Sequence, residues 1–285
     1  MTTPEPVPRP EDLPDYTDPP IDEVVIGLIF MSVGGVLTNH IAKYRDAVKN
    51  DLPGLQYQPR LPFQLETLSD GGLQPQPPFG FAPLIVPQGV QAGQRTWLLS
   101  ADDESVVQLQ DDLFMSNWRR RQGPYPHFEE LMRVFWKRFS LFRDQVNEDI
   151  ALPLQLQQLE VTYINWVPTE RSSLSHWFGP AKASHVQLNS GEGDPEHELW
   201  FTSFLVERDG VPIARLHARQ LEALRTAPGT PHLGSQLDLI YRVPLPPGID
   251  DFGINDLAFA ARNSIVRAFT SLTTPEAQKD WNRTK

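Results

Sequence analysis

QLQDDLFMSNWRRR, residues 108–121, is the stretch from which the fold is read. With the residue before it, it sets Val107, Leu109, Leu113 and Met115 on one face of an extended chain and Gln108, Gln110, Asp112 and Ser116 on the other. That alternation predicts a β-strand with one packed side and one wet side. The strand runs into Asn117, Trp118 and three consecutive arginines. Just upstream, RTWLLS and ADDES supply a second β-prone run and a tight turn, for which Asp102 and Asp103 are suited, so the segment reads as a hairpin.

Downstream of GPYP, Phe128, Leu131, Met132, Phe135, Phe139, Phe142 and Val146 recur at three- and four-residue steps, predicting a long helix laid across a sheet or another apolar helix. Upstream, IDEVVIGLIF predicts a buried strand. The next segment predicts a helix with Leu37, Ile41, Tyr44 and Val48 on one side, stopped by Pro53 and Gly54. Residues 59–93 are dense in proline and glycine and read as a long excursion or lid. Seven of the first 20 residues are proline, so residues 1–18 are expected to form an extended, disordered acidic arm.

The second half has a similar plan. QLQQLEVTYINWV predicts a strand, and a Ser/His/Gly-rich loop covers residues 171–195. A second hairpin turns at Asp209-Gly210, where both residues tolerate positive φ. After the strand SQLDLIYRVPL comes a final helix carrying Leu257, Ala261, Ile265, Ala268 and Leu272, and Thr274 then caps a short terminal helix with Pro275 at its first position. The expected fold is α+β: residues 19–150 and 151–285 form two antiparallel-sheet halves, each closed by a long amphipathic helix, the second with a helix-grip-like layout. QLQ…NW at residues 108–118 and again at 155–166 is a weak internal echo of such a repeat.

Several chemistries are excluded or unsupported. With no cysteine in the chain there are no disulfides, thiol nucleophiles or thiolate metal sites. The histidines have no paired metal spacing, and Glu196, His197 and Glu198 are consecutive in a polar loop, so no metal or cofactor is expected. Phosphate-cradling and nucleophile-elbow motifs do not occur. The carboxylates Asp102, Asp103, Glu104, Asp111 and Asp112 suit solvated turns better than acid–base work, and His176 near Ser173 and Ser175 has no positioned third partner. No catalytic residue is assigned. The N-terminus lacks the features of a signal peptide and VVIGLIFM, residues 24–31, is too short to span a bilayer, so the expectation is a soluble cytoplasmic protein.

A net charge of −11 argues against general nucleic-acid binding, although seven basic residues against two acidic ones lie between Arg119 and Arg143. Seven acids against one arginine fill the first 23 residues. Asn117, Trp118, Arg119, Arg120 and Arg121 place amide, indole and guanidinium groups together, chemistry suited to a carboxylate, a phosphate or a stacked base. The competing reading seats Trp118 at the core edge and pairs the arginines with the acidic arm or the acidic turn.

The pattern PPIDEVV, QLQDDLFMSNWR and EVTYIN resembles a sporadically distributed family of uncharacterised bacterial and archaeal proteins, over nearly the whole chain from Pro19 onward. Its most specific residues are Gln108, Gln110, Asn117, Trp118 and Arg119, then Glu160, Tyr163 and Asn165. The resemblance implies an accessory gene, of the defence or toxin–antitoxin kind, and carries no assigned activity. From these signals the expected function is a non-enzymatic binding protein with a protein partner or a second copy of itself. Its alternatives are a small-ligand binder with a cavity under the final helix and, lowest, nucleic-acid contact through the Arg119–Arg143 patch.

Overall fold

Asp111 and Asp112 turn the chain. The computed structural model describes residues 4–33, 37–68, 94–149, 153–169, 174–179, 200–225 and 232–285, and in it QLQDDLFMSNWR is a hairpin and not one strand. The arms are β4 (Ser105–Gln110) and β5 (Leu113–Arg119), with Gln108 opposite Met115 and Gln110 opposite Leu113. The two-residue turn reverses the inside–outside parity expected from straight alternation. Leu113 and Met115 therefore share a face with Gln108 and Gln110, while Phe114, Ser116 and Trp118 share the other with Val107 and Leu109.

Seven further strands complete one sheet: β1 (Ile21–Phe30), β2 (Gly54–Pro59), β3 (Gln94–Leu99), β6 (Leu156–Pro168), β7 (Trp200–Arg208), β8 (Val211–Arg225) and β9 (His232–Pro244). All nine are antiparallel neighbours in the order β2-β3-β4-β5-β1-β6-β9-β8-β7. IDEVVIGLIF is apolar at nearly every position because β1 lies in the middle of the sheet, covered on both faces. Its pairing with β6, Val24 to Tyr163 through Leu28 to Leu159, joins the strands before residue 150 to those after it. The QLQ…NW echo falls on unlike elements, the β4–β5 hairpin and the single strand β6.

The described helices are α1 (Leu37–Val48), α2 (Phe128–Asp149), α3 (Leu174–Trp177), α4 (Asp251–Leu272) and α5 (Pro275–Asp280). The phenylalanine stripe of α2 is core: Phe114 of β5 meets Phe135, Phe139 and Phe142 at ring-centroid separations of 6.0, 5.3 and 5.3 Å. By area, each such ring contributes about 2 kcal/mol. α4 starts at the Asp250 cap, whose carboxylate accepts from the Gly253 N–H at 2.8 Å, and packs Ile254, Ala258, Phe259, Ile265 and Phe269 onto β6 and β9. The expected Thr274 cap is present, its hydroxyl accepting from Ala277 N–H. Asp209 and Gly210 turn β7 into β8 with φ of 54° and 76°.

Residues 4–18 form no helix or strand element, as their prolines require, yet they are seated where a loose arm was expected. Leu13 is fully buried, the Tyr16 hydroxyl hydrogen-bonds Thr270, and Asn255 donates to the Glu5 carbonyl. Burial of Leu13 and these hydrogen bonds, with ion pairs from Asp12 and Asp18, hold them. None of the described helices is long and apolar enough to cross a membrane.

Candidate functional site

The sheet face opposite α2 and α4 carries few apolar side chains. Val25, Ile29, Leu113 and Met115 form a small cluster, capped by Leu61 and Phe63 from the segment after β2. Around it the face is polar and hydrogen-bonded. Gln108 accepts from Arg95 and from the Trp97 indole at 2.8 and 3.0 Å and donates to Asn117 at 3.0 Å, and Asn117 in turn donates to Glu23. Arg119 lies over the Trp97 ring, 4.7 Å from its centroid, and pairs with Glu23 and Asp103.

Residues 60–68 cross this face as a strap. Arg60 pairs with Asp111 and Asp112 at the β4–β5 turn. Gln110 exchanges two hydrogen bonds with the Leu61 backbone, and Gln158 accepts from Glu66 N–H at 2.7 Å while donating to the Gln64 carbonyl at 3.1 Å. Glutamine side chains thus supply the pairing that a neighbouring strand would give. The remaining 69–93 of the excursion lies outside the described residues.

Near the far end of the strap lies Glu66, whose side chain is 2% exposed. Its carboxylate accepts from His217 Nε2 at 2.6 Å and Arg215 Nε at 3.0 Å, with Arg242 Nη1 at 3.7 Å; Arg242 also pairs with Glu160 at 2.7 Å. Burial alone would raise the Glu66 carboxyl, but the hydrogen bonds from His217 and Arg215 and the nearby charge of Arg242 outweigh it and hold it below its ordinary range. His217 Nδ1 meets the exposed Ser203 hydroxyl at 2.8 Å across the β7–β8 pair. Ser203, His217 and Glu66 are therefore one hydrogen-bonded chain, in which an ionised Glu66 favours the tautomer whose Nδ1 accepts the serine proton.

Where the strap meets the start of β6 and the N-terminal end of α4, a cavity of ≈ 1120 Å³ opens. Leu154, Leu156, Leu245 and Ile249 give it apolar walls. Met31, Leu65 and Phe252, 52%, 38% and 55% exposed, come from three different segments and converge on it. Gln155 and Gln157 add amides with no partner among the described residues, and Arg143 fixes one side by gripping Asp251 with two hydrogen bonds.

The residues singled out from sequence divide between the two faces. Gln108, Gln110, Asn117, Arg119 and Glu160 lie in the strapped polar face. Trp118, Tyr163 and Asn165 lie on the helix side: Trp118 packs on Tyr125, the Tyr163 hydroxyl bonds that of Tyr125 at 2.8 Å, and Asn165 donates to the Leu237 carbonyl. Arg120 pairs with Asp18 of the N-terminal arm and Arg121 with Asp103 of the β3–β4 turn. The glutamine face is buried and not wet, Gln110 under the strap and Gln108 among Arg95, Trp97 and Asn117, 0% and 5% exposed. His176 has Asp280 as a partner at 2.9 Å. Ser173 and the run Glu196 to Glu198 lie outside the described residues.

Sequence reasoning missed Glu66, His217, Arg215 and Arg242. Arg215, His217 and Arg219 sit at alternate positions of β8, which reads as a charged strand face, but Glu66 lies amid proline and glycine with no local pattern. No cluster of three or more residues fit to hold a metal ion occurs among the described residues.

This is an α+β protein defined by a nine-stranded antiparallel sheet with long helices on one face and a hydrogen-bonded strap across the other. No family model, no curated protein and no solved structure matches the chain.

Proposed function

We propose that this protein is a non-enzymatic, cytoplasmic binding module that takes an extended apolar segment of a partner protein into the groove between strap, β6 and α4, in the accessory setting that the family resemblance implies. One observation carries the reading: Met31, Leu65 and Phe252, three large apolar side chains left exposed on separate segments, meet at one apolar-walled groove. Its volume of ≈ 1120 Å³ lies at the upper end of small-ligand pockets, and the Gln155 and Gln157 amides suit the backbone of an extended chain. In this reading the polar face is scaffolding: Glu66 anchors the strap that forms one wall. The chain is read as two halves joined at the β1–β6 seam, with the groove beside that seam.

The other binding readings have less support. Beneath α4, where the alternative reading placed a helix-grip cavity, Ile254, Phe259, Ile265 and Phe269 are buried, and Arg119, Arg120 and Arg121 of the patch proposed for nucleic acid are engaged with Asp18, Glu23 and Asp103. The test is co-purification from the native host. Wild type is expected to retain a stoichiometric partner and Phe252→Asp to lose it with unchanged circular dichroism. Equal recovery by both proteins contradicts the proposal.

A second reading, from a different class, rests on the Ser203–His217–Glu66 chain. In it, Ser203 Oγ attacks an ester carbonyl while His217 Nδ1 takes the hydroxyl proton and passes it to the departing alkoxide; water then hydrolyses the acyl-serine by the same route. A fluorophosphonate probe should label wild type and not Ser203→Ala. Absence of labelling removes this reading.

A further inference from the structure

On the helix side, a second pocket of ≈ 510 Å³ lies between the β4–β5 hairpin and the first half of α2. Ile26, Trp118, Pro124, Pro126, Leu131 and Val134 make its apolar lining. Ser105, Ser116 and Arg138 make its basic polar end: Arg138 Nη1 donates to the Ser105 hydroxyl at 2.8 Å and to the Ser116 hydroxyl at 3.3 Å.

Arg138 is placed unlike most of the buried and half-buried arginines. Arg60, Arg143, Arg242 and Arg262 each meet a carboxylate. Among the described residues Arg138 forms no salt bridge and its hydrogen-bond partners are the two serines, while Asp51 acts on it only through space. Removing a guanidinium from water with two hydroxyls as its hydrogen-bond acceptors is unfavourable, and burial pulls its proton affinity down against the opposing influence of Tyr44 and Asp51. An anion entering the pocket would supply a directly bonded counter-charge, in a bidentate geometry that guanidinium favours.

The rest of the lining selects the anion. The walls are apolar, and the other ionisable groups are the carboxylates Asp102, Glu104 and Glu130, of which Asp102 and Glu130 are exposed at the solvent side. Asp102 is held by the Ser100 hydroxyl and Glu104 N–H, Glu104 by the N–H groups of Gln122 and Gly123, and Glu130 by Arg133. One cation behind three acids disfavours a multiply charged phosphate and accepts a single negative charge on an apolar body. We propose that this pocket binds a small organic monocarboxylate, its carboxylate on Arg138 beside Ser105 and Ser116 and its body against Trp118, Leu131 and Val134. The site is separate from the groove proposed for the partner protein and stands without it.

The test uses the full chain and 3-phenylpropionate as probe, read by calorimetry and by indole fluorescence, with Trp118→Phe assigning the quench. Wild type is expected to bind with a Kd of about 1 mM or tighter. The neutral isostere 3-phenylpropanamide and the Arg138→Gln variant should each weaken binding by roughly tenfold or more, the cost of one charge-assisted contact. Val134→Phe, which fills the pocket while leaving Arg138 in place, should abolish it and covers the case in which Arg138→Gln does not fold. Tighter binding of phenylalanine than of phenylpropionate supports the proposal and draws the acids in as partners of the ammonium group. Equal binding of the amide, undiminished binding by folded Arg138→Gln or Val134→Phe, binding of inorganic phosphate alone, or no saturable binding overturns it.

Discussion

Glu66 is the residue on which the strapped face turns. Its carboxylate is shared by His217, Arg215 and Arg242, so removing the charge leaves three donors facing one another under the strap. Glu66→Gln keeps the shape and is expected to lower unfolding stability by about 3 kcal/mol in urea titration, the usual cost of breaking a buried ionic group. The pH dependence has a definite sign. Because the native carboxyl is held below the ordinary value of 4.5, its contribution is complete above that pH and is lost as pH falls through the lowered native value. The gap between wild type and Glu66→Gln should therefore close on acidification below pH 4.5; a gap that widens contradicts the assignment. No neighbouring residue announces this role, since its partners lie about 150 and more residues further along the chain.

At the scale of elements, α2 is the piece most fully legible from sequence. Its phenylalanines recur at helical spacing and all turn inward, and Phe139 packs against Phe114, Phe135 and Trp136 while receiving Arg143 over its face. Phe139→Ala should cost about 3–5 kcal/mol, read as a fall in the denaturation midpoint with an unchanged slope; a loss below about 1 kcal/mol would mean the stripe is not the core. The β4–β5 hairpin was legible only in part. Alternation gives strand, but a two-residue Asp-Asp turn is invisible to it, and the turn moves Leu113 and Met115 to the opposite face from the one expected. In the arginine tract, Asp18 of the acidic arm and Asp103 of the acidic turn are the partners that the competing reading gave, whereas Glu23 on β1 comes from a strand that sequence spacing does not bring near.

At the scale of the molecule, one sheet places all these parts. The class of elements and most of their order followed from periodicity, because buried faces impose period two on strands and near 3.6 on helices. The pairing of β1 with both β5 and β6 did not follow, since a strand covered on both faces carries no alternation to mark its neighbours. The groove was not legible at all: Met31, Leu65 and Phe252 are ordinary apolar residues until the fold sets them beside one another. A photo-crosslinking amino acid at position 252 in the native host reads out whether a partner sits where these side chains converge. One dominant adduct is expected, mapping to an apolar segment of a single partner, and none from the same probe at Tyr57, which is 60% exposed at the far edge of the sheet. No adduct at position 252, or the same scatter of adducts from both positions, would contradict it.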